Sequence, residues 1–420
     1  MCQLSINMLN DLYGPSFVIG LEAVLAWAPL FVLIVLGGIG WTIWIRYKRE
    51  QFIESIKWSL LEIRIPKEVY KSPAAMELVL IKALHQTGGV GTWYARYWQG
   101  KVLLWSSLEI VSIEGKIYFF IRTPVQFKPL VESQIYAQYP QAEINEIDGD
   151  YAYYFPPYEK DGSWSLFGSE FVLTKPDPFP IKTYIDYGLD RNATSLEAEQ
   201  QIDPITTMLE YLGSLKKGEQ MWIQILVRAH QAKRYAKAGH YFEKRKLEDI
   251  AEEQISEIFK KAKFKAADKT SPSSTDLSKA QQQAIEAIER NMDKVQFDCG
   301  IRALYLAEKG SFSASNITGL MSLLKQYNSA TLNGFKPSNA TSFDFPWQDF
   351  NKIKETKLKK KIYNYYRLRS YFYEPAERTP FVLSSEELAT LFHFPGRVSE
   401  TPSFKRIESK KSEPPVNLPM

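Results

Sequence analysis

Residues 108–122 read LEIVSIEGKIYFFIR, and their alternation decides the fold. Leu108 to Ile113 and Lys116 to Arg122 place β-branched and aromatic residues at the spacing of paired strands. Glu114-Gly115 between them supplies the positive φ that a two-residue antiparallel turn requires. Toward the N-terminus, Leu60 to Ile65 (LLEIRI) alternates in the same way and stops at Pro66. Ser72-Pro73 then opens AAMELVLIKALHQ, where proline at the first helical position and apolar residues at i, i+3 and i+4 predict a helix. Toward the C-terminus, Phe127 to Tyr139 reads as a helix and Ala142 to Ile147 (AEINEI) as a strand. The order over residues 58–150 is β-α-β-β-α-β, a ferredoxin-like unit.

The pattern repeats over residues 165–340. A strand at Glu170 to Thr174, a helix opening at Asp203-Pro204, strands at Met221 to Ala229 and Val295 to Ala307, a helix at Asn316 to Tyr327 and a closing strand at Gly334 to Pro337 predict a second such unit. An insertion at 230–294 is charged and helical in period, with a Thr270 to Thr275 break, and is expected to be a helical hairpin. Residues 341–398 read as a basic and aromatic connector with a short α/β segment, and 399–420 as an extended tail rich in Ser, Lys and Pro. The expected class is α+β.

Ahead of this body, Phe17 to Ile45 carries one charge, Glu22. From Ala23 onward the run would span about 34 Å as a helix, enough to cross a bilayer. Arg46, Lys48 and Arg49 follow it directly, whereas residues 1–16 contain only Asp11. The positive-inside rule therefore predicts an uncleaved single-pass anchor, with a short N-terminus outside and the body in the cytoplasm. Gly37, Gly38 and Gly40 allow close helix approach, which would suit a homo-oligomer. Thr92 to Trp98 (TWYARYW) interrupts the first unit, and membrane-proximal packing or a hairpin is favoured over ligand binding there.

A formal charge of +4 spread over 420 residues does not announce a nucleic-acid binder. Cys2 and Cys299 lie on opposite sides of the expected membrane, and His85, His230, His240 and His393 are scattered, so no disulfide, metal or cofactor is expected. No Walker motif, nucleophile elbow or zinc-protease motif occurs. Gly213 to Gly218 approaches a phosphate loop but continues with Glu219 and Gln220 instead of lysine and a hydroxyl. No catalytic residue is assigned, and the chain reads as a non-enzyme.

One basic and aromatic patch stands out. Lys352, Lys354, Lys357, Lys359, Lys360 and Lys361, with Arg367 and Arg369, run into a series of tyrosines. The mixture suits contact with DNA or anionic lipid, or is a solvated helix face.

Several stretches resemble the N-terminal region of bacterial type IV secretion or conjugative coupling-type DNA-transfer ATPases. They are LLEIRIPKE at Leu60 to Glu68, SQIYAQYPQAEI at Ser133 to Ile144, KKGEQMWIQILVR at Lys216 to Arg228, FVLSSEELATLFHFPG at Phe381 to Gly396 and KKSEPPVNLP at Lys410 to Pro419. The resemblance implies an anchor and α+β region that precede a motor domain, and here the sequence stops at Met420 before any Walker motif. The expectation is a non-catalytic scaffold or adaptor of a transfer apparatus, docking a motor ATPase or other components. The alternatives are the front part of a split or truncated DNA-translocating ATPase, and a tethered DNA- or anionic-lipid-binding module.

Overall fold

The computed structural model describes residues 15–66, 71–86, 91–190, 203–231, 235–237, 240–265, 277–343 and 345–395. The chain divides into two compact units, one made of Met1–Ile56 with Gly88–Val102, the other of Lys57–Thr87 with Leu103–Met420.

In the first unit, helix α1 runs Pro15–Ser55 with Pro29 inside it. Its segment Trp27–Ser55 is long and apolar enough to cross a membrane, and the apolar stretch is not buried within the protein. The helix continues ten residues past the expected end at Ile45, because Arg46 to Ser55 holds no glycine or proline to stop it. A one-turn helix, Trp93–Tyr97, begins at Thr92, whose Oγ1 accepts the Ala95 N–H at 3.2 Å. Its aromatics lie against α1: Tyr97 is 5.9 Å from Trp41 and Trp98 is 5.7 Å from Trp44, ring centre to ring centre. Gly100 closes this contact at φ +67°, where an added Cβ would stand 2.2 Å from the Lys48 carbonyl oxygen. Thr92 to Trp98 thus form a helical turn packed against α1, and not a hairpin.

The second unit is built on one sheet. Its first half runs β1 (Trp58–Arg64), α2 (Pro73–Val79, continued by a wider turn to Leu84), β2 (Ser106–Ile113), β3 (Lys116–Pro124), α3 (Lys128–Gln138) and β4 (Glu143–Glu146). Its second half runs β5 (Trp164–Leu173), α4 (Pro204–Gly213), β6 (Glu219–Ala229), an insertion, β9 (Gln296–Glu308), α7 (Ala314–Ser322) and β10 (Phe335–Ser338). The insertion opens with a ribbon, β7 (Tyr235–Lys237) and β8 (His240–Arg245), before helices α5 (Leu247–Lys265) and α6 (Lys279–Met292). The helical hairpin was expected; the ribbon was not. The Thr270 to Thr275 break lies outside the described residues, as do most of residues 1–16 and the whole tail 399–420.

Strand order is β10-β5-β9-β6-β2-β3-β1-β4, all antiparallel, so the two halves carry the same internal order and meet along β6 and β2. The α+β class holds. The 108–122 hairpin forms as read, with Glu114 and Gly115 both at positive φ. The halves share one continuous sheet because β2 and β6 pair over eight residues, from Ser106 opposite Val227 to Ile113 opposite Gln220. The segment 341–395 adds α8 (Ile353–Arg367), β11 (Phe381–Ser384) and α9 (Ser385–Leu391), and β11 pairs with β9 below the point where β5 leaves it.

Period-two alternation sorts the strands into two faces. Leu108, Ile110, Phe119, Ile223, Ile225 and Ile301 enter a core that also holds Met76 of α2, Val131 of α3, Leu209 of α4, Leu320 of α7 and Leu388 of α9. Val111, Phe120, Trp222 and Leu304 enter a second core with Ile362, Tyr363 and Tyr366 of α8 and with Ala152, Phe155 and Tyr158 from the segment before β5. Fully burying one such large apolar side chain contributes about 1.5–3 kcal/mol. Both faces are therefore covered, one by most of the helices and the other mainly by α8.

Candidate functional site: a lysine and aromatic ridge

The sheet carries one polar rung across its α8 face. Glu109 on β2 pairs with Gln224 on β6, Gln224 with Arg302 on β9, and Arg302 with Glu170 on β5. All four are buried. The chain leaving α8 crosses this rung and pairs with much of it, while Gln224 Oε1 and Arg302 Nε and Nη1 find no hydrogen-bond partner among the described residues. Arg369 reaches Glu109 through Nε and Nη2 at 2.9 and 3.0 Å, and Asp150 through both terminal nitrogens. Gln224 Nε2 donates to Glu109 at 2.9 Å and Tyr151 donates to the other Glu109 oxygen at 2.6 Å. Arg302 Nη2 donates to the Ser370 carbonyl at 2.6 Å beneath the Tyr371 ring. Burial alone would raise the Glu109 pKa, but the Arg369 charge and the hydrogen bonds from Arg369, Tyr151 and Ser107 hold it at about 2. Burial, helped by the Arg369 charge, lowers Arg122 to about 9.

This rung fixes the C-terminal end of α8 and so aims its start. Asp349 accepts the Ile353 and Glu355 N–H groups at 3.0 and 2.7 Å, which satisfies two of the free donors of the first turn. Lys160, in the segment before β5, donates to the Asn351 carbonyl at 3.0 Å. Around this start stand Phe345 and Trp347, stacked at 4.5 Å, with Phe350 and Ile353; Phe350 is 81% exposed and Trp347 and Ile353 are each 65% exposed. Lys352, Lys354, Lys357, Lys360 and Lys361 are exposed beside them, and Lys354, Lys357 and Lys361 recur at one-turn spacing. The result is a ridge of cations flanked by uncovered aromatic rings.

The ridge lies at a definite end of the sheet. Trp58 opposite Pro124, and Ser106 opposite Val227, mark one end; Ile113 opposite Lys116 and Trp164 opposite Glu308 mark the other. Asn351 is tied through Lys160 to the segment leading into Trp164. The ridge therefore sits at the end opposite Trp58, where the chain enters the sheet.

The structure separates the eight predicted patch residues. Five form the ridge. Lys359 is bound to Glu355 at 2.6 Å and sits over Tyr158, and Arg367 lies on the faces of Tyr153 and Tyr363. Arg369 is a correction: it is fully buried in the Glu109 and Asp150 pairs and offers nothing to an external ligand. The sequence placed it beside exposed cations because it follows α8 by two residues; the left-handed turn at Arg369, φ 50°, sends it inward. Phe345, Trp347, Phe350 and Ile353 were missed. Phe345, Trp347 and Phe350 precede the helix without periodicity and Ile353 opens it, and an apolar residue there is by itself no sign of exposure.

Elsewhere, polar groups hold layers together. Glu77, Glu386 and Lys294 meet on the other face, with Lys294 3.0 Å from Glu77 and Arg290 3.3 Å from Glu386. Glu387 caps α9 by accepting the Ser384 and Ile181 N–H groups at 2.8 Å each. His393 sits between the Ala389 carbonyl and Asp203, and His230 contacts Asp298. Burial pushes the Cys299 thiol well up. Among the described residues no group of three or more His, Cys, Asp or Glu is placed to hold a metal ion.

A family model described as Domain of unknown function (DUF8128) matches residues 48–406, more than half of the chain. No curated protein matches the sequence.

Proposed function

The chain belongs to the DUF8128 family, and from its geometry we propose that it is a membrane-anchored, non-catalytic adaptor that docks an anionic partner on the ridge at the start of α8. The observation that carries this reading is the exposure of the ridge: five lysines stand uncovered beside Phe345, Trp347 and Phe350, at one end of the sheet. Exposed cations set among bare aromatic rings suit contact with an anionic partner. The charge run after Ile45 supports a body on the cytoplasmic side of a bacterial inner membrane. The likeness of five segments to the front region of coupling-type transfer ATPases supports a motor ATPase or another secretion component as the partner. In this reading the two halves are ferredoxin-like units fused edge to edge.

The test is site-specific photocross-linking in intact cells from Lys357 or Lys360 of the full chain. The expected product is an adduct with a protein that carries a nucleotide-binding motif, lost when Lys352, Lys354, Lys357, Lys360 and Lys361 are changed to Gln. An adduct that survives the five changes would overturn the ridge as the docking surface. ATP hydrolysis by the purified chain, unchanged on further purification, would overturn the adaptor reading.

A further inference from the structure

Trp93, Tyr94 and Trp98 are 61, 59 and 44% exposed, a concentration of bare aromatic surface on one helical turn and its cap. The turn is locked to α1 at a defined height. From Trp27 to Ile45 α1 carries no charge. That length spans about 28 Å, close to the ~30 Å thickness of a hydrocarbon core. Trp41 and Trp44, which meet Tyr97 and Trp98, therefore fall within about one turn of the hydrocarbon boundary. Rings with an apolar body and a polar N–H or O–H favour the headgroup layer at that height.

We infer that Trp93–Trp98 is a foot resting in the phospholipid headgroup layer beside α1, with Trp93, Tyr94 and Trp98 embedded and nearby cations facing lipid phosphates. The inference rests on the membrane reading of α1. Arg96 lies within the foot and Lys101 follows it, and Arg46, Lys48 and Arg49 follow the apolar stretch, against two acids, Glu50 and Glu54, in the rest of α1. Lys48 Nζ lies 5.0 Å over the Trp44 ring, so the cation and the aromatic layer are in contact. The close approach of Gly100 to the Lys48 backbone holds the foot at this height and keeps it from sliding along α1.

The full chain, with Cys2→Ser and Tyr94→Cys carrying a bimane probe, is placed in phosphatidylcholine–phosphatidylglycerol nanodiscs. Cys299 is buried and Lys309→Cys serves as the aqueous control. Quenching of the position-94 probe by lipids bearing a nitroxide near the headgroup, with shielding from iodide relative to position 309, is the expected result. Gly100→Val should return the probe to iodide while the chain stays in the disc. A probe at 94 as open to iodide as the control would overturn the foot, as would quenching unchanged by Gly100→Val. Release of the wild-type chain from membranes by alkaline carbonate would overturn the anchor and the foot with it, whereas retention with an aqueous probe overturns the foot alone.

Discussion

Arg369 and Glu109, 260 residues apart in sequence, form a two-pronged ion pair with both side chains out of solvent. One stands on the sheet and the other on the chain leaving α8, so the pair joins the two layers at a single point. Removing one partner leaves a buried charge alone. Arg369→Met should therefore lower stability by about 3–5 kcal/mol, and adding Glu109→Gln should recover part of that loss. Urea unfolding in detergent, followed by tryptophan fluorescence, measures both.

Two buried carboxyls give stability opposite pH limbs. Glu109 is held at about 2 in the fold against an ordinary 4.5, so its contribution is complete above 4.5 and is lost as pH falls toward 2. Burial pushes Glu387 up to about 8, so its contribution is complete below 4.5 and is lost as pH rises toward 8. The melting midpoint of Glu387→Gln should therefore change less between pH 5 and 8 than that of the wild type. Parallel curves over that range would contradict the assignment.

Gly300 lies on β9 directly beneath Tyr371, and an added Cβ would come within 2.3–2.5 Å of three ring atoms. Gly300→Ala must displace that ring and with it the cover over Arg302. A loss of about 1–3 kcal/mol is expected, as for other overpacked cores. Gly300→Ala combined with Tyr371→Ala should lose less than the sum of the two single changes.

The ridge lysines should behave in the opposite way. Lys352, Lys357, Lys360 and Lys361 make no ion pair among the described residues, so changing the five ridge lysines to Gln should leave stability within about 0.5 kcal/mol. Elution from a cation-exchange resin should move to lower salt. A large fall in stability would show that these side chains support the fold.

Much of the sheet was legible because its strands alternate strictly: Leu108, Ile110 and Phe119 go to one core, and Val111 and Phe120 to the other. The turn at Glu114-Gly115 and the proline-led helices at Pro73 and Pro204 announced themselves by local chemistry. The join between β2 and β6 did not, because edge pairing between distant strands leaves no periodic mark. Nor did the site sort itself. Lys357 and Arg369 look alike in sequence, and only the left-handed turn at Arg369 separates a solvated cation from a buried one. Glu109, Gln224 and Arg302, each inside an apolar strand, are local signs of a polar rung, but Arg369 lies too far along the chain from Glu109 to be matched to it.

The β2–β6 junction also governs how neighbouring copies can meet. Each half alone would offer a long outer strand, of eight residues in β2 and eleven in β6, with unpaired backbone groups ready to recruit another chain. Joined, they conceal each other, and the outermost strands of the sheet are the four-residue β4 and β10, with the four-residue β11 beside β9. Glu143 and Glu146 place charge on one rim, and Pro337 removes a donor from the other. Copies of the chain that meet at high local concentration thus find, among the described strands of this sheet, only short edges with which to pair.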